Sequence, residues 1–218
     1  MKKILIKKQS IIDLYNPKLD GVLKFKSFLN KTDLDIIMKE VNSNRHLFQT
    51  KEEKYIDNNQ DVALIYRGEF CLDGLNNSVF EKLFNQYIEM RETISKHSDI
   101  PFDTGNILEV KIIRYPISDL GVAAHRDLSS NVNMITFFNL LGNVNFYTYK
   151  NKKGDYINKY LMEAGDISFM RAPRLNEEID IRPLHGVAEV YTERIVLAIR
   201  EIRTDLEEET NKGNWRGF

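Results

Sequence analysis

The stretch Gly121-Val122-Ala123-Ala124-His125-Arg126-Asp127 decides how the rest of the chain is read. Side chains on an extended segment alternate with period 2. His125 and Asp127 therefore fall on one face and offer an imidazole and a carboxylate side by side. Two such donors need a third to hold a metal. His185 supplies it, well downstream in Pro183-Leu184-His185-Gly186-Val187.

Around these residues the sequence has the texture of a sheet. After Pro101 the apolar runs are short and bounded by Gly, Asn and Asp, which is a strand-and-turn signature. Strands are expected at 106–115, 122–127, 132–140, 144–150, 155–162, 166–171, 184–190 and 193–202. Asn151-Lys152-Lys153-Gly154 and Gly142-Asn143 mark turns between them. The first hundred residues read differently. Val22–Phe28 suggests a strand, and Asn30 before Asp33 is a candidate N-cap for a helix over 31–43. The polar stretch 50–61 reads as a loop and 62–66 as a strand. A second helix is expected over 79–96, capped by Ser78, with Val79, Leu83, Tyr87 and Met90 on one face. Its aromatics read as core packing on a sheet. The fold class is mainly β with flanking helices, a double-stranded β-helix of jelly-roll, cupin-like type. Residues 1–202 read as a single domain, in which a helical and strand-bearing N-terminal region (residues 1–100) leads into a barrel core (residues 101–202). The charged tail 203–218 carries the only tryptophan, Trp215.

Composition narrows the functional classes. At 218 residues, 42% hydrophobic and 29% charged, the chain has enough apolar material for a real core. A formal net charge of -1 gives no bulk attraction to nucleic acid. Lys51, Lys54, Arg67 and Arg114 are scattered among acids. The single Cys71 excludes an internal disulfide framework and fits a reducing compartment. The apolar run Ile4-Leu5-Ile6 is too short for a secretory signal, and no stretch approaches membrane-spanning length. The expectation is a cytoplasmic protein with no membrane partner.

Each donor alone has a plain structural reading, as a hydrogen-bonded histidine or a surface acid. Jointly, two histidines and one carboxylate with half the coordination sphere open describe the facial triad of non-haem Fe(II) oxygenases. His46 and His97 have no such company and are left out. His97 lies near a helix C-terminus, where a cation is mildly favoured.

His125, Asp127 and His185, followed nine residues later by Arg194, resemble the Fe(II)/2-oxoglutarate-dependent dioxygenase superfamily over roughly 106–202. The resemblance implies that the triad binds iron. It also implies that Arg194 pairs with the distal carboxylate of 2-oxoglutarate, the co-substrate. AlkB-like members are similar in further features: Gly165-Asp166, His185-Gly186-Val187, a tyrosine before the His-x-Asp, and two arginines six apart, here Arg194 and Arg200. Val196 departs from that subgroup, which has Asn there, and from the plant-type pattern. Tyr115 is either a donor to the 2-oxoglutarate carboxylate or a core-edge tyrosine. Arg200 is either a second cofactor-binding arginine or a salt-bridge partner of Glu201 or another acid at the surface. In halogenating relatives a small residue replaces the acid, so Asp127 implies hydroxylation.

The resemblance implies an oxygenase acting with O2 on a small molecule or an amino-acid-like substrate. The alternatives are an AlkB-like demethylase of nucleic acid or protein, and a non-catalytic cupin-like metal-binding module. The charge balance does not favour the nucleic acid. Substrate contacts are sought at Arg67, Arg114, Phe137, Tyr147, Arg171 and Arg174. The Arg171-Ala172-Pro173-Arg174 segment is expected in a loop near the metal, where its arginines either take a substrate carboxylate or solvate the loop.

Overall fold

The computed structural model of the chain describes residues 6–56, 62–71, 78–97, 102, 107–117, 121–128, 130–151, 153–172, 182–188 and 190–203. Arg174 and the tail 204–218 with Trp215 lie outside the described residues, as do the side chains of Lys51, Lys54, Arg67 and Ser78.

Three helices precede the main run of strands. α1 spans Lys8–Tyr15, α2 Lys31–Ser43 and α3 Ser78–His97. Asn30 starts α2 by a reciprocal cap. Its side chain accepts from the Asp33 N–H at 2.9 Å, and Asp33 accepts from the Asn30 N–H at 3.3 Å. Two donors that a helix start leaves without partners are thereby satisfied, which is worth about 1 kcal/mol. α2 buries Ile37 and Val41, and α3 buries Leu83, Tyr87, Met90 and Ile94, as the helical spacing predicts. α1 is not expected from the sequence. It has eight residues and no side-chain cap, so burial of Ile11, Leu14 and Tyr15 carries it rather than local propensity.

The strands are β1 (Val22–Phe25), β2 (Gln49–Ile56), β3 (Val62–Cys71), β4 (Ile107–Tyr115), β5 (Val122–His125), β6 (Asn131–Leu141), β7 (Val144–Tyr149), β8 (Tyr156–Met162), β9 (Ile167–Arg171), β10 (Leu184–Ala188) and β11 (Arg194–Ile202). β2 corrects the loop expected from residue 50. Its composition is charged, but its backbone pairs along β3 from Gln49 to Ile56. Ladder hydrogen bonds hold it, and charge suits a strand at the margin of a sheet.

All pairings are antiparallel, in the order β1-β9-β6-β11-β4-β3-β5-β10-β7-β8, with β2 on β3. β3 joins two layers, since Glu69–Cys71 pair with β4 and Tyr66 pairs with β5. In the wide layer, β1-β9-β6-β11-β4, the central strands β9, β6 and β11 are buried on both faces. Its period-2 alternation sends Met134, Phe138, Ile167, Phe169, Ile195, Leu197 and Ile199 into a core shared with the helices. The alternate residues Ile113, Ile135, Met170, Val196 and Ala198 face inward and meet Val122, Phe146, Met162 and Val187 of the narrow layer β5-β10-β7-β8. The result is the expected jelly roll.

Two polar ties, one at half-buried Asp20 and one at buried Asp166, close the roll. The Asp20 carboxylate accepts from Thr148, Asn158 and Tyr160, joining the segment before β1 to β7 and β8. Asp166 accepts from the Ser27 and Glu163 N–H groups and pairs with Lys24 at 2.7 Å. Gly165-Asp166 therefore anchors the turn into β9.

Candidate metal centre

His125 ends β5 and stands directly opposite His185 on β10. Their ring centroids are 4.3 Å apart. Close approach of the two strands depends on Gly121, just before β5. It has φ +75°, and a Cβ there would lie 2.1 Å from the Val187 carbonyl oxygen.

Each imidazole is oriented by the same local device. Nδ1 of His125 lies 2.9 Å from the Ala123 carbonyl, and Nδ1 of His185 lies 3.1 Å from the Pro183 carbonyl. A carbonyl can only accept, so both Nδ1 atoms carry the proton and both Nε2 lone pairs remain for a metal. Phe146 stacks on the His185 ring, with centroids 5.5 Å apart and planes 23° apart, and forms an apolar wall.

Asp127 lies beyond the end of β5, where the sequence predicts a strand to 127. Strand alternation alone does not place it. Arg182 donates Nη1 to the Asp127 carbonyl at 2.6 Å, and Arg126 donates Nε to the Arg182 carbonyl at 3.1 Å. This strap carries the carboxylate back toward the histidines. Its Oδ2 sits 3.5 Å from His185 Nε2, buried and without a hydrogen-bond partner. Buried carboxylate oxygens are normally paired. A missing partner that is cationic and sits between carboxylate and imidazole nitrogens is what a metal ion provides. The ligand atoms of His125, Asp127 and His185 all lie within 4.8 Å of one another, the only such group among the described residues.

The electrostatics agree. Burial pushes His185 down to about 4, with help from His125, so it is neutral and able to ligate near pH 7. Burial opposes the charge on Asp127. The Arg200 charge, with Arg182 and whatever protonation the two imidazoles carry, outweighs it and holds the carboxyl below its usual value.

The other expected residues divide by the face of the strand they occupy. Arg194 is buried on the inward face of β11, paired in register with Tyr115 of β4. Its Cζ stands 5.1 Å from the centre of the Tyr115 ring, and its Nε donates to Asn139 Oδ1 at 3.1 Å. Arg200 shares that inward face. It does not pair with Glu201, because adjacent strand residues point to opposite faces. It lies instead 3.4 Å from Glu109 and 3.7 Å from Asp127 Oδ1. Phe137 also faces inward, 6.4 Å from Phe146.

Arg114 points away from the site, to the face opposite Ile113 and Tyr115. There it binds Glu193, which Arg45 also holds at 3.1 Å. Tyr147 lies on the outer face of β7, against Tyr149, Tyr156 and Lys159. Neither side chain reaches the metal group. Arg171 is not in a loop. It is the buried last residue of β9 and donates to the Asn16 carbonyl, although it also lines a small recess with Asp127, Asn131 and Arg182.

Phe146, Asn139, Arg182 and Glu109 escaped the sequence reading. Phe146 had a signal in its parity with Val144 and Thr148, and Asn139 had one as the lone amide in an apolar run. Arg182 and Glu109 act only through contacts distant in sequence. The His-Asp-His group, with a buried arginine on the same lining, fits Fe(II) and 2-oxoglutarate.

No family model and no curated protein matches the chain. Solved structures do. A Pseudomonas putida prolyl-4-hydroxylase superposes with TM-score 0.62 at 12% identity, covering 89% of this chain and 99% of that one. The non-haem α-ketoglutarate-dependent epimerase SnoN from nogalamycin biosynthesis gives 0.59 at 11%, covering 89% and 82%. A Trichoplax adhaerens prolyl hydroxylase, in complex with a hypoxia-inducible-factor peptide fragment, gives 0.57 at 13%, covering 95% and 93%. At such identities the likeness is one of architecture, and it establishes that this chain shares the jelly-roll fold of these hydroxylases and of the epimerase.

Proposed function

We propose that the protein is an Fe(II)- and 2-oxoglutarate-dependent oxygenase that hydroxylates a small molecule or an amino-acid-like group. The observation that carries this is the orphaned Asp127 Oδ2, buried beside His185 Nε2 with His125 within reach. When bound, iron and 2-oxoglutarate together supply the oxidising power. One atom of O2 enters the substrate as hydroxyl, the other enters succinate, and CO2 leaves.

The chain's own residues do the rest. His125, Asp127 and His185 would hold iron, leaving coordination positions for the co-substrate and O2. Arg194 takes the distal carboxylate, which would otherwise be buried without a partner. Val196 and Ala198, between Arg194 and Arg200 on the same inward face, leave room for the co-substrate's carbon chain. Phe146 keeps water from the His185 ring. Arg200, anchored on Glu109, restrains Asp127 through Oδ1 and leaves Oδ2 for iron. Asp127 fills the position that a halide would need, which favours hydroxylation. Phe137, on the inward face beside Phe146, is the candidate substrate contact on this lining.

The test is succinate release. Purified protein with Fe(II) should convert 2-oxoglutarate to succinate in an O2-dependent manner, and Arg194→Ala should raise the 2-oxoglutarate requirement. Breaking a buried pair costs about 3–5 kcal/mol, which is on the order of a hundredfold or more in affinity. Iron binding should survive that substitution. A protein that holds iron but consumes no 2-oxoglutarate would contradict the proposal.

A further inference from the structure

We propose that Asn139 is a positioning residue that aims the Arg194 guanidinium at the distal carboxylate of 2-oxoglutarate. The inference rests on the role given to Arg194 above.

Asn139 is fully buried in β6, an otherwise largely apolar strand, and shares the inward face with Ile135 and Phe137. A buried amide is tolerated only when its polar atoms are paired. Here every polar group is used. The backbone N–H donates to the Asp166 carbonyl at 2.9 Å, and the backbone carbonyl accepts from the Gly165 N–H at 2.8 Å. Side-chain Nδ2 donates to the Gly142 carbonyl at 2.8 Å, and Oδ1 accepts from Arg194 Nε at 3.1 Å. The chemistry fixes which end is which. Gly142 offers a carbonyl and Arg194 a donor, so a flipped amide would set like against like at both ends.

The acceptor that locks the amide is itself packed closely against the chain. Gly142 has φ +76°, and a Cβ there would lie 2.1 Å from the Glu193 carbonyl oxygen. The β6–β7 turn thus rests on the residue that precedes Arg194. One corner of the roll holds both the arginine's backbone and the amide that grips its side chain.

The choice of nitrogen gives the arrangement its functional sense. A carboxylate is matched by two parallel N–H groups of the guanidinium. With Nε tied to Asn139, the fork formed by Nη1 and Nη2 is the edge presented away from that tie. The Tyr115 ring packs beside the guanidinium, its centre 5.1 Å from Cζ. A guanidinium held in this way loses less freedom when the carboxylate arrives, and that preorganisation appears as affinity.

The experiment is an anaerobic titration of Fe(II)-loaded protein, read by absorbance of the metal–oxoacid chelate, with 2-oxoglutarate and separately with 2-oxobutyrate. The second acid chelates metal in the same way but has no distal carboxylate. Wild type, Asn139→Ala, Asn139→Asp and Arg194→Ala with and without Asn139→Ala are compared. Asn139→Ala should raise the 2-oxoglutarate midpoint about tenfold by releasing the fork. Asn139→Asp should raise it further, because a carboxylate at 139 competes for the guanidinium. The 2-oxobutyrate midpoint and Fe(II) affinity should not move, and Asn139→Ala should add nothing in the Arg194→Ala background. If Asn139→Asp does not fold, Asn139→Ala carries the comparison. Equal weakening of both oxoacids, or no weakening of 2-oxoglutarate, would overturn the positioning role. Absence of any wild-type chelate with either acid would overturn the oxygenase reading and this inference with it.

Discussion

Glu201 and Asp127 face opposite sides of the wide layer, and of these two acids only Glu201 is saturated. Glu201 belongs to β11 and faces the helices. Its Oε1 accepts from the Tyr87 hydroxyl and from Arg91 Nε, both at 2.7 Å, and its Oε2 accepts from Arg91 Nη2 at 2.9 Å and from Asn133. Burial, reinforced by the Glu201 charge, raises the Tyr87 hydroxyl far above its ordinary value and keeps it a donor. Asp127 faces the inside of the roll. It has one long ionic contact, with Arg200 at 3.7 Å, lies 3.5 Å from the neutral His185 ring, and keeps one oxygen with no hydrogen bond. Glu201 ties α3 to the sheet and has nothing left to offer. Asp127 keeps an oxygen available, which is how a ligand differs from a structural acid.

That contrast can be broken from either side. The largest effect is expected at Glu201. Glu201→Ala leaves the half-buried Arg91 and the buried Tyr87 hydroxyl without their acid, so urea unfolding should show a loss of about 3–5 kcal/mol. Iron affinity of the protein that remains folded should be unchanged. A loss of iron with no loss of stability would reverse the roles of the two acids.

Next comes acid sensitivity of the metal-free protein. The His185 value falls on folding from its ordinary 6.5 to about 4. The unfolded chain then binds the proton first, so stability is lost as pH drops from about 6.5 toward 4. Asp127, also lowered on folding, adds loss only at still lower pH. Between pH 7 and 4.5 the His185 contribution should be about 2–3 kcal/mol, and His185→Gln should flatten that range of the profile. A metal-free wild type equally stable at both values would show that His185 is not held neutral by burial.

The smallest effect belongs to the ion cluster on the outer face. Glu193 is held below its usual value by Arg114 and Arg45 against the opposing effect of its partial burial. All three groups are partly solvated, so Arg114→Ala should cost less than about 1 kcal/mol and leave 2-oxoglutarate turnover intact. A large fall in turnover would restore Arg114 as a substrate residue.

The features of this molecule that local chemistry determines were legible in the sequence. The Asn30–Asp33 cap marks the start of α2, and bounded apolar runs within 132–140 and 193–202 mark β6 and β11. The triad was legible because its three residue types have few other reasons to combine. What failed depended on distant partners. β2 has no apolar pattern and exists through β3. α1 is too short to show a period and is held by tertiary burial. Tyr147 sits in Val144-Asn145-Phe146-Tyr147-Thr148-Tyr149, which has aromatic residues on both faces, so its parity gave no direction. Arg114 was drawn outward by Glu193, and Arg200 inward by Glu109, each across many residues of chain.

The most direct measurement is an anaerobic Fe(II) titration of wild type, Asp127→Ala and Glu201→Gln, with unfolding followed on the same metal-free preparations. Wild type and Glu201→Gln should each bind one equivalent of iron with similar affinity, while Glu201→Gln unfolds at lower urea. Asp127→Ala should lose stoichiometric iron binding while its metal-free stability falls by no more than about 1 kcal/mol, since its contacts are long, at 3.5 and 3.7 Å, and Arg200 keeps Glu109 as a partner. Stoichiometric iron retained by Asp127→Ala at wild-type affinity would contradict the assignment of the unsatisfied oxygen as a metal ligand.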